Sequence, residues 1–236
     1  MCYTQYMKNI EYSKMAPLYD KFYANKNYLK EVDFITHFAK KSDYVLDAGC
    51  GTGKHAKILS DLGFQVYGFD QSESMVDIAN SKIPKHFFVD DLLTFCYNAQ
   101  YDIIISFFAV FNHLKNYKQF KTSLSNLKRH LKPNGRIIID LHNPQKSGKK
   151  TESIENGTRI MKWKKCDLVK KEFTKIIYEV DGKTFKTKRV FKIYKIKKLR
   201  DIAHDIGFYS VDFYENYNTS TKASKKSKNV QMVLTI

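Results

Sequence analysis

The chain has 236 residues, 43% of them hydrophobic, which is enough for one domain with a full core and a small extension. Its formal net charge is +17, yet arginine supplies only 5 of its 41 basic residues. Because arginine is the side chain that reads base edges and holds phosphates through two hydrogen bonds, this balance disfavours specific nucleic-acid binding. The surplus charge instead favours a small anionic substrate.

The sequence also lacks the marks of a membrane or secreted protein. No apolar run reaches the about 18 residues of a membrane span, and the polar N-terminus has no signal-peptide core. The four cysteines are scattered without a C-x-x-C pair, which favours free thiols and predicts no metal site. We therefore expect a cytoplasmic monomer or homodimer with no membrane partner.

The first half of the chain alternates between helices and strands, as in a parallel sheet covered by helices. Pro17 is expected in the first turn of an N-terminal helix, and a second helix covers Tyr28 to Ala39. The predicted strands are Tyr44–Asp47, Gln65–Phe69, His86–Val89, Tyr101–Ser106 and Arg136–Leu141. The helices between them are Lys54–Leu62, Ser74–Ser81 and Tyr117–Leu131, the last ended by a turn from Lys132 to Gly135.

The second half is richer in β-strand patterns. A polar, mobile connector is expected from Gln145 to Ser153, and a disordered segment from Tyr217 to Lys228. The predicted elements are strands at Arg159–Trp163, Phe173–Val180 and Thr184–Tyr194, a helix at Ile196–Ile206, and strands at Phe208–Tyr214 and Asn229–Ile236. Asp181-Gly182 is a strong hairpin signal.

These elements predict an α/β fold with a doubly wound, mostly parallel sheet. An antiparallel β-rich extension is inserted before the last helix and strands. We divide the chain into residues 1–143 with the N-terminal helices and the core, 144–195 as a β-rich cover for the substrate, and 196–236 as the returning helix and final antiparallel strands.

A glycine-rich turn follows the first strand and organises the predicted site. The run Asp47-Ala48-Gly49-Cys50-Gly51-Thr52-Gly53 joins a buried strand to a helix, which places free backbone amides beside a bound nucleoside. A nicotinamide dinucleotide site is the alternative, but it prefers the spacing G-x-G-x-x-G. Asp70 ends the second strand, about 20 residues further on, where ribose hydroxyls are held.

Together these residues resemble the D-x-G-x-G-x-G motif and the following acidic motif of class I S-adenosylmethionine (SAM) methyltransferases, which have a Rossmann-like fold. The resemblance implies SAM as the cofactor. It also implies that Asp91 takes the adenine amino group and that Leu92 packs on the ring. The full set of expected cofactor-binding residues is Tyr19, Asp47, Gly49, Gly51, Gly53, Asp70, Gln71, Met75, Asp91, Leu92 and Phe107.

The segment from Ser106 to Leu114 follows the fourth strand, where the methyl acceptor enters in this fold. Methyl transfer suits an apolar wall with one polar group, and His113 is expected to orient or deprotonate the attacking atom. A histidine that serves only in the core or on the surface is the alternative for His113.

The pattern Tyr12-Ser13, Ala16, Leu18-Tyr19-Asp20, the glycine motif and Phe107 to Leu114 resembles N,N-dimethyltransferases of nucleotide-linked amino deoxysugars. That resemblance implies that Tyr12 and His113 lie near the transferred methyl group, as catalytic residues. The chain departs from the family pattern at Asn112, where the family has glycine. It also departs at Lys186-Thr187-Lys188, where the family's strand is acidic and rich in histidine.

The sequence therefore predicts a SAM-dependent methyltransferase acting on the amino group of a nucleotide-linked amino sugar. The alternatives are O-methylation of a sugar or another small molecule, methylation of tRNA or other RNA, and SAM binding without catalysis. The fourth strand is not followed by the Asn/Asp-Pro-Pro-aromatic tetrapeptide expected of enzymes that methylate base amino groups.

Overall fold

The computed structural model of the protein describes residues 15–154 and 156–236. Its strands are β1 (Tyr44–Ala48), β2 (Gln65–Asp70), β3 (Phe87–Val89), β4 (Tyr101–Ser106), β5 (Leu131–His142), β6 (Gly148–Ile154), β7 (Gly157–Cys166), β8 (Lys171–Val180), β9 (Lys183–Lys192), β10 (Ser210–Glu215), β11 (Asn218–Lys222) and β12 (Asn229–Thr235). Its helices are α1 (residues 15–22), α2 (Tyr28–Thr36), α3 (Lys54–Asp61), α4 (Glu73–Lys82), the short 3-10 helix η1 (Val110–His113), α5 (Tyr117–Arg129) and α6 (Ile196–Ile206).

Eight strands form the central sheet in the order β11-β10-β12-β5-β4-β1-β2-β3. Strands β1 to β5 run parallel to one another, while β12 is antiparallel to both β5 and β10. The middle of β5 is buried on both faces: Ile137 and Ile139 join one core, and Ile138 joins the core on the opposite face. Continuous apolar strands with helices on both sides confirm the predicted α/β class.

The other four strands form a separate antiparallel sheet in the order β6-β7-β8-β9. Asp181 and Gly182 connect β8 to β9 with positive φ angles of 48° and 71°, which confirms the predicted hairpin. One face of this second sheet packs on α1, where the Phe22 and Tyr178 rings are stacked with centroids 3.9 Å apart. The extension is therefore a sheet that covers the N-terminal helix.

Three local predictions are wrong. The expected connector from Gln145 to Ser153 contains β6, and the segment expected to be disordered after Tyr217 contains β11. Both are edge strands, where backbone hydrogen bonds to one neighbour suffice and polar side chains face solvent. The expected turn at Lys132 to Gly135 lies within β5, where a register irregularity and a φ of 63° at Asn134 absorb the bend.

In the part of the chain that the structure describes, no helix is long and apolar enough to cross a bilayer. The boundaries at residues 143 and 195 stay a prediction.

Candidate active site

The glycine turn after β1 allows two close approaches. Gly49 has a φ of +86°, and a Cβ there would lie 2.7 Å from Cγ2 of Val110. Gly51 has a φ of +53°, and nothing lies within 4 Å of the place that its Cβ would take. Gly49 thus lets η1 pack against the turn, and Gly51 leaves its backbone open to a ligand.

Asp70 fastens this turn to the end of β2. Its Oδ2 accepts a hydrogen bond from the Gly51 N–H at 3.0 Å, and its Oδ1 accepts one from the Ser72 N–H at 3.0 Å. Burial raises the pKa of Asp70, although these backbone hydrogen bonds act in the opposite direction. Because each carboxylate oxygen has a second lone pair, Asp70 can also accept from a ligand hydroxyl.

A second set of contacts holds α1 against the same turn. The Thr52 hydroxyl donates to Asp20 Oδ1 at 2.6 Å, and Lys82 Nζ donates to Asp20 Oδ2 at 2.7 Å. Lys82 also donates to the Thr52 carbonyl oxygen at 2.7 Å. This arrangement brings Tyr19, the residue before Asp20, to the site.

A cavity of about 240 Å³ lies at the carboxyl ends of the parallel strands, the usual ligand site in this type of sheet. The structure brings nine of the sequence-predicted residues to its wall. They are Tyr19, Gly49, Gly51, Asp70, Gln71, Met75, Asp91, Leu92 and His113. Of the others, Asp47, Gly53 and Phe107 are not in the wall, and Tyr12 lies outside the described residues.

The sequence predicts Phe107 in the wall, but its neighbour Phe108 takes that place. The Phe107 ring packs inside, with centroids 5.3 Å from His55 and 6.0 Å from Tyr217, whereas Phe108 lines the cavity. The chain turns here through positive φ angles at Phe108 (70°) and Ala109 (59°). Such strain is maintained only where surrounding contacts fix the backbone.

Asp140, on β5, provides those contacts. Its Oδ1 accepts from the Ala109 N–H at 2.6 Å, and its Oδ2 accepts from the Tyr217 hydroxyl at 2.9 Å. Sequence patterns did not identify Asp140 or Tyr217 as supports of the site, because the residues that they stabilise are distant in the chain.

Asn112 anchors η1, which carries His113, to both sheets. Asn112 is 1% exposed, and its Nδ2 donates to the carbonyl oxygens of His142 at 2.9 Å and Lys192 at 2.7 Å. Its Oδ1 accepts from the His142 N–H at 2.9 Å. A glycine, which the resemblance implies at this position, could make none of these side-chain bonds, whereas Asn112 links β5 to β9.

The end of the cavity nearest the second sheet is lined by Tyr19, Phe108, His113 and Arg189, and we call it the acceptor end. The His113 ring lies 4.8 Å from the ring of Phe191, which neighbours Arg189 on the inner side of β9. Aromatic rings, one imidazole and one guanidinium thus line this end of the cavity.

Arg189 is part of a buried polar cluster. It is 9% exposed, and its Nη1 donates to the Tyr23 hydroxyl at 3.4 Å, which lies 3.1 Å from the Tyr178 hydroxyl. Burial opposes ionisation of Tyr23, but the Arg189 charge, the Tyr178 hydrogen bond and the Arg159 charge leave its pKa below the usual value. Sequence reasoning missed Arg189, although it is the only arginine among the lysines of β9.

The opposite end suits a nucleoside with a charged amino group. Asp91 and Leu92 lie there after β3, together with Met75. Two buried oxygens have no hydrogen-bond partner within the described residues: Ser72 Oγ, in the cavity wall, and Asp47 Oδ2, which lies behind the wall. Burial raises the pKa of Asp47 to about 6, which a cationic ligand group would reverse. The residues present therefore fit SAM, with its ammonium group, ribose hydroxyls and adenine.

Comparison with known proteins agrees with this site. Residues 19–212 match the methyltransferase domain family. A protein of Methanocaldococcus jannaschii is 33% identical over 91% of this chain and 81% of its own length. A dTDP-3-amino-3,4,6-trideoxy-alpha-D-glucopyranose N,N-dimethyltransferase of Streptomyces venezuelae is 24% identical over 53% of this chain and 56% of its own length.

Among solved structures, a SAM-dependent methyltransferase from Clostridium acetobutylicum has the same fold. Its TM-score is 0.79 at 21% identity, over 95% of this chain and 98% of the other. The family match and the cavity together confirm the predicted family and its cofactor. The chain belongs to the methyltransferase domain family, and it is an enzyme that uses SAM as its methyl donor.

Proposed function

We propose that the protein methylates the amino group of a small anionic molecule, and that a nucleotide-linked amino sugar is its substrate. The observation that carries this proposal is the buried guanidinium of Arg189 in the wall of the cavity that His113 also lines. Support also comes from the relative that is named for N,N-dimethylation of a dTDP-linked amino sugar.

The acceptor end has the properties that transfer to an amine requires. Bound SAM supplies a methyl group on a sulfonium, and the attacking nitrogen must reach it as the neutral amine. The positive charge of Arg189 disfavours an ammonium nearby and attracts the diphosphate of the substrate. Tyr19 and Phe108 exclude water, and His113 orients the amine or takes its proton. Tyr12 is proposed to face the methyl group as well.

The decisive assay offers the enzyme and SAM a dTDP-linked 3-amino sugar, the matching 3-hydroxy sugar nucleotide, and bulk tRNA. We expect mass spectrometry to detect a methylated product with the amino sugar alone. Methylation of the hydroxy sugar alone would move the function to O-methylation, and methylation of tRNA alone would assign it to RNA. SAM binding without any methylated product would support a role without catalysis.

Two variants test the assigned residues. Arg189→Gln should raise KM for the nucleotide sugar about tenfold or more, while Lys186→Gln, which removes one charge from the outer side of the same strand, should not. His113→Asn should lower turnover by roughly 10²–10⁴ if His113 takes the proton, with unchanged affinity for the demethylated cofactor. Full activity of both site variants would refute the assignment.

A further inference from the structure

The two faces of the second sheet differ sharply in composition. Paired residues share a face, so the register separates an inner face, with Arg189 and Tyr178, from an outer one. The outer positions of the four strands include eight lysines, which we call the lysine face. They are Lys149, Lys162, Lys164, Lys171, Lys175, Lys186, Lys188 and Lys192. Glu179 is the only acid among the described outer positions.

Four of these lysines form a row across the sheet. Lys149 pairs with Lys162, Lys162 with Lys175, and Lys175 with Lys188, and all four side chains are exposed. Neighbouring strands are about 4.8 Å apart, so the row is about 14 Å long. Like charges in directly opposite positions destabilise a sheet. This row therefore opposes folding and is not explained by the stability of the sheet.

Protection of sheet edges does not explain the row either. Lysines on edge strands prevent pairing with other chains, but only β6 and β9 are edges of this sheet. Lys162 and Lys175 lie on the inner strands β7 and β8, where no edge needs protection.

Exposed apolar side chains adjoin the lysines at one end of the sheet. Phe173 and Val190 are cross-strand partners on the outer face, 45% and 42% exposed. The turn between β7 and β8 adds Leu168, which is 92% exposed, and Val169. A soluble surface rarely collects large apolar side chains in this way without a partner.

Contrary to the expectation of no membrane partner, we infer that the lysine face docks the enzyme on the surface of an anionic lipid bilayer. Attachment to such a surface grows with both the number of nearby lysines and the apolar area that enters the headgroup region. Phe173 and Val190 lie on the same side of the sheet as these lysines, and Leu168 and Val169 lie in the turn at its end. A nucleic-acid strand would also attract lysines, but Phe173 is the only ring among these four exposed side chains, and Leu168, Val169 and Val190 cannot stack with bases.

The docking face is also separate from the catalytic site. The inner side of the same sheet carries Arg189 and lines the acceptor end. Docking by the outer side therefore leaves the cavity accessible to substrate. The inference does not depend on which small molecule is methylated.

The test is sedimentation with vesicles in 0.15 M salt. We expect the wild-type protein to bind vesicles of 70% phosphatidylcholine and 30% phosphatidylglycerol, but not vesicles of phosphatidylcholine alone. Because each lysine near an anionic surface contributes about fivefold in partitioning, the variant K149Q/K162Q/K175Q should bind roughly 100-fold more weakly. The variant K40Q/K118Q/K198Q has the same net charge and replaces three exposed lysines elsewhere, so it should keep most of the binding.

A third variant, L168S/V169S, should also lose binding. Affinity for the demethylated cofactor shows that each variant is folded. The inference is overturned if the wild-type protein does not bind anionic vesicles, or if both lysine variants lose binding equally, which would assign it to net charge. Binding of tRNA that depends on Lys149, Lys162 and Lys175, without vesicle binding, would also overturn it.

Discussion

Asp47 lies behind the glycine turn as a buried carboxyl with one oxygen unpartnered among the described residues. Burial raises its pKa to about 6, and the Asp70 charge adds to this, against the effect of His55. Because the pKa of Asp47 is higher in the folded protein than in the unfolded chain, the carboxyl stabilises the apo fold fully at pH values below its pKa in the unfolded chain. That effect is lost as pH rises through about 6.

Ligand binding should have the opposite pH dependence, because the cofactor's ammonium group prefers the ionised carboxylate. From pH 5 to pH 7 the ionised fraction of a group with a pKa of about 6 rises about tenfold. We expect affinity for the demethylated cofactor, measured by calorimetry, to rise by about that factor. Asp47→Asn should weaken binding at pH 7 and flatten the dependence, while Asp61→Asn on the exposed side of α3 should change neither. Equal slopes in the wild-type protein and Asp47→Asn would contradict this role.

At the scale of single residues, the sequence predicted the cofactor end of the cavity better than the acceptor end. Gly49, Gly51, Asp70 and Asp91 follow strands directly, so their position at one sheet edge follows from chain order. Arg189 reaches the same cavity from β9, a strand of another sheet. Its position depends on how the two sheets pack, which no local pattern specifies.

At the scale of elements, η1 connects the two sheets through one side chain. Asn112→Ala would leave the His142 N–H and the carbonyl oxygens of His142 and Lys192 without these partners. Since unsatisfied buried groups are costly, we expect a loss of about 2–4 kcal/mol in the free energy of unfolding in urea. Turnover should fall too, because His113 is the next residue of η1 and Asn112 anchors that helix.

The matched control is Asn116→Ala, which removes the exposed N-cap of α5, where Asn116 accepts from the Gln119 N–H at 3.0 Å. Loss of such a cap costs about 1 kcal/mol. If Asn112→Ala were no more destabilising than Asn116→Ala, the link between the sheets would contribute little.

The elements missed by sequence reasoning are edge strands. β6 and β11 carry polar side chains and are stabilised by backbone hydrogen bonds to β7 and β10. Inner strands such as β4 and β5 are predictable because they are buried on both faces and carry apolar runs. An edge strand with a solvated face has the composition of a loop, and only its neighbour distinguishes the two.

At the scale of the whole molecule, the distribution of charge matters more than its total. Composition alone gives a net charge of +17, which suggests an evenly basic surface. Strand register instead concentrates eight lysines on one side of the second sheet, opposite the side that faces the catalytic cavity. Alternation within each strand was visible in the sequence, but alignment of the lysines across strands depends on register.

This distribution predicts how salt affects stability. Screening by salt weakens repulsion among exposed charges, so the melting temperature of the wild-type protein should rise from 20 mM to 300 mM NaCl. K149Q/K162Q/K175Q removes the charges that stand in directly opposite positions. At low salt it should be more stable than the wild-type protein by about 1 kcal/mol, with a smaller response to salt. K40Q/K118Q/K198Q lowers the net charge equally but leaves the row of lysines intact, so its gain in stability should be smaller. Scanning calorimetry at both salt concentrations makes the comparison, and equal gains in the two variants would show that net charge, and not the row of lysines, opposes folding.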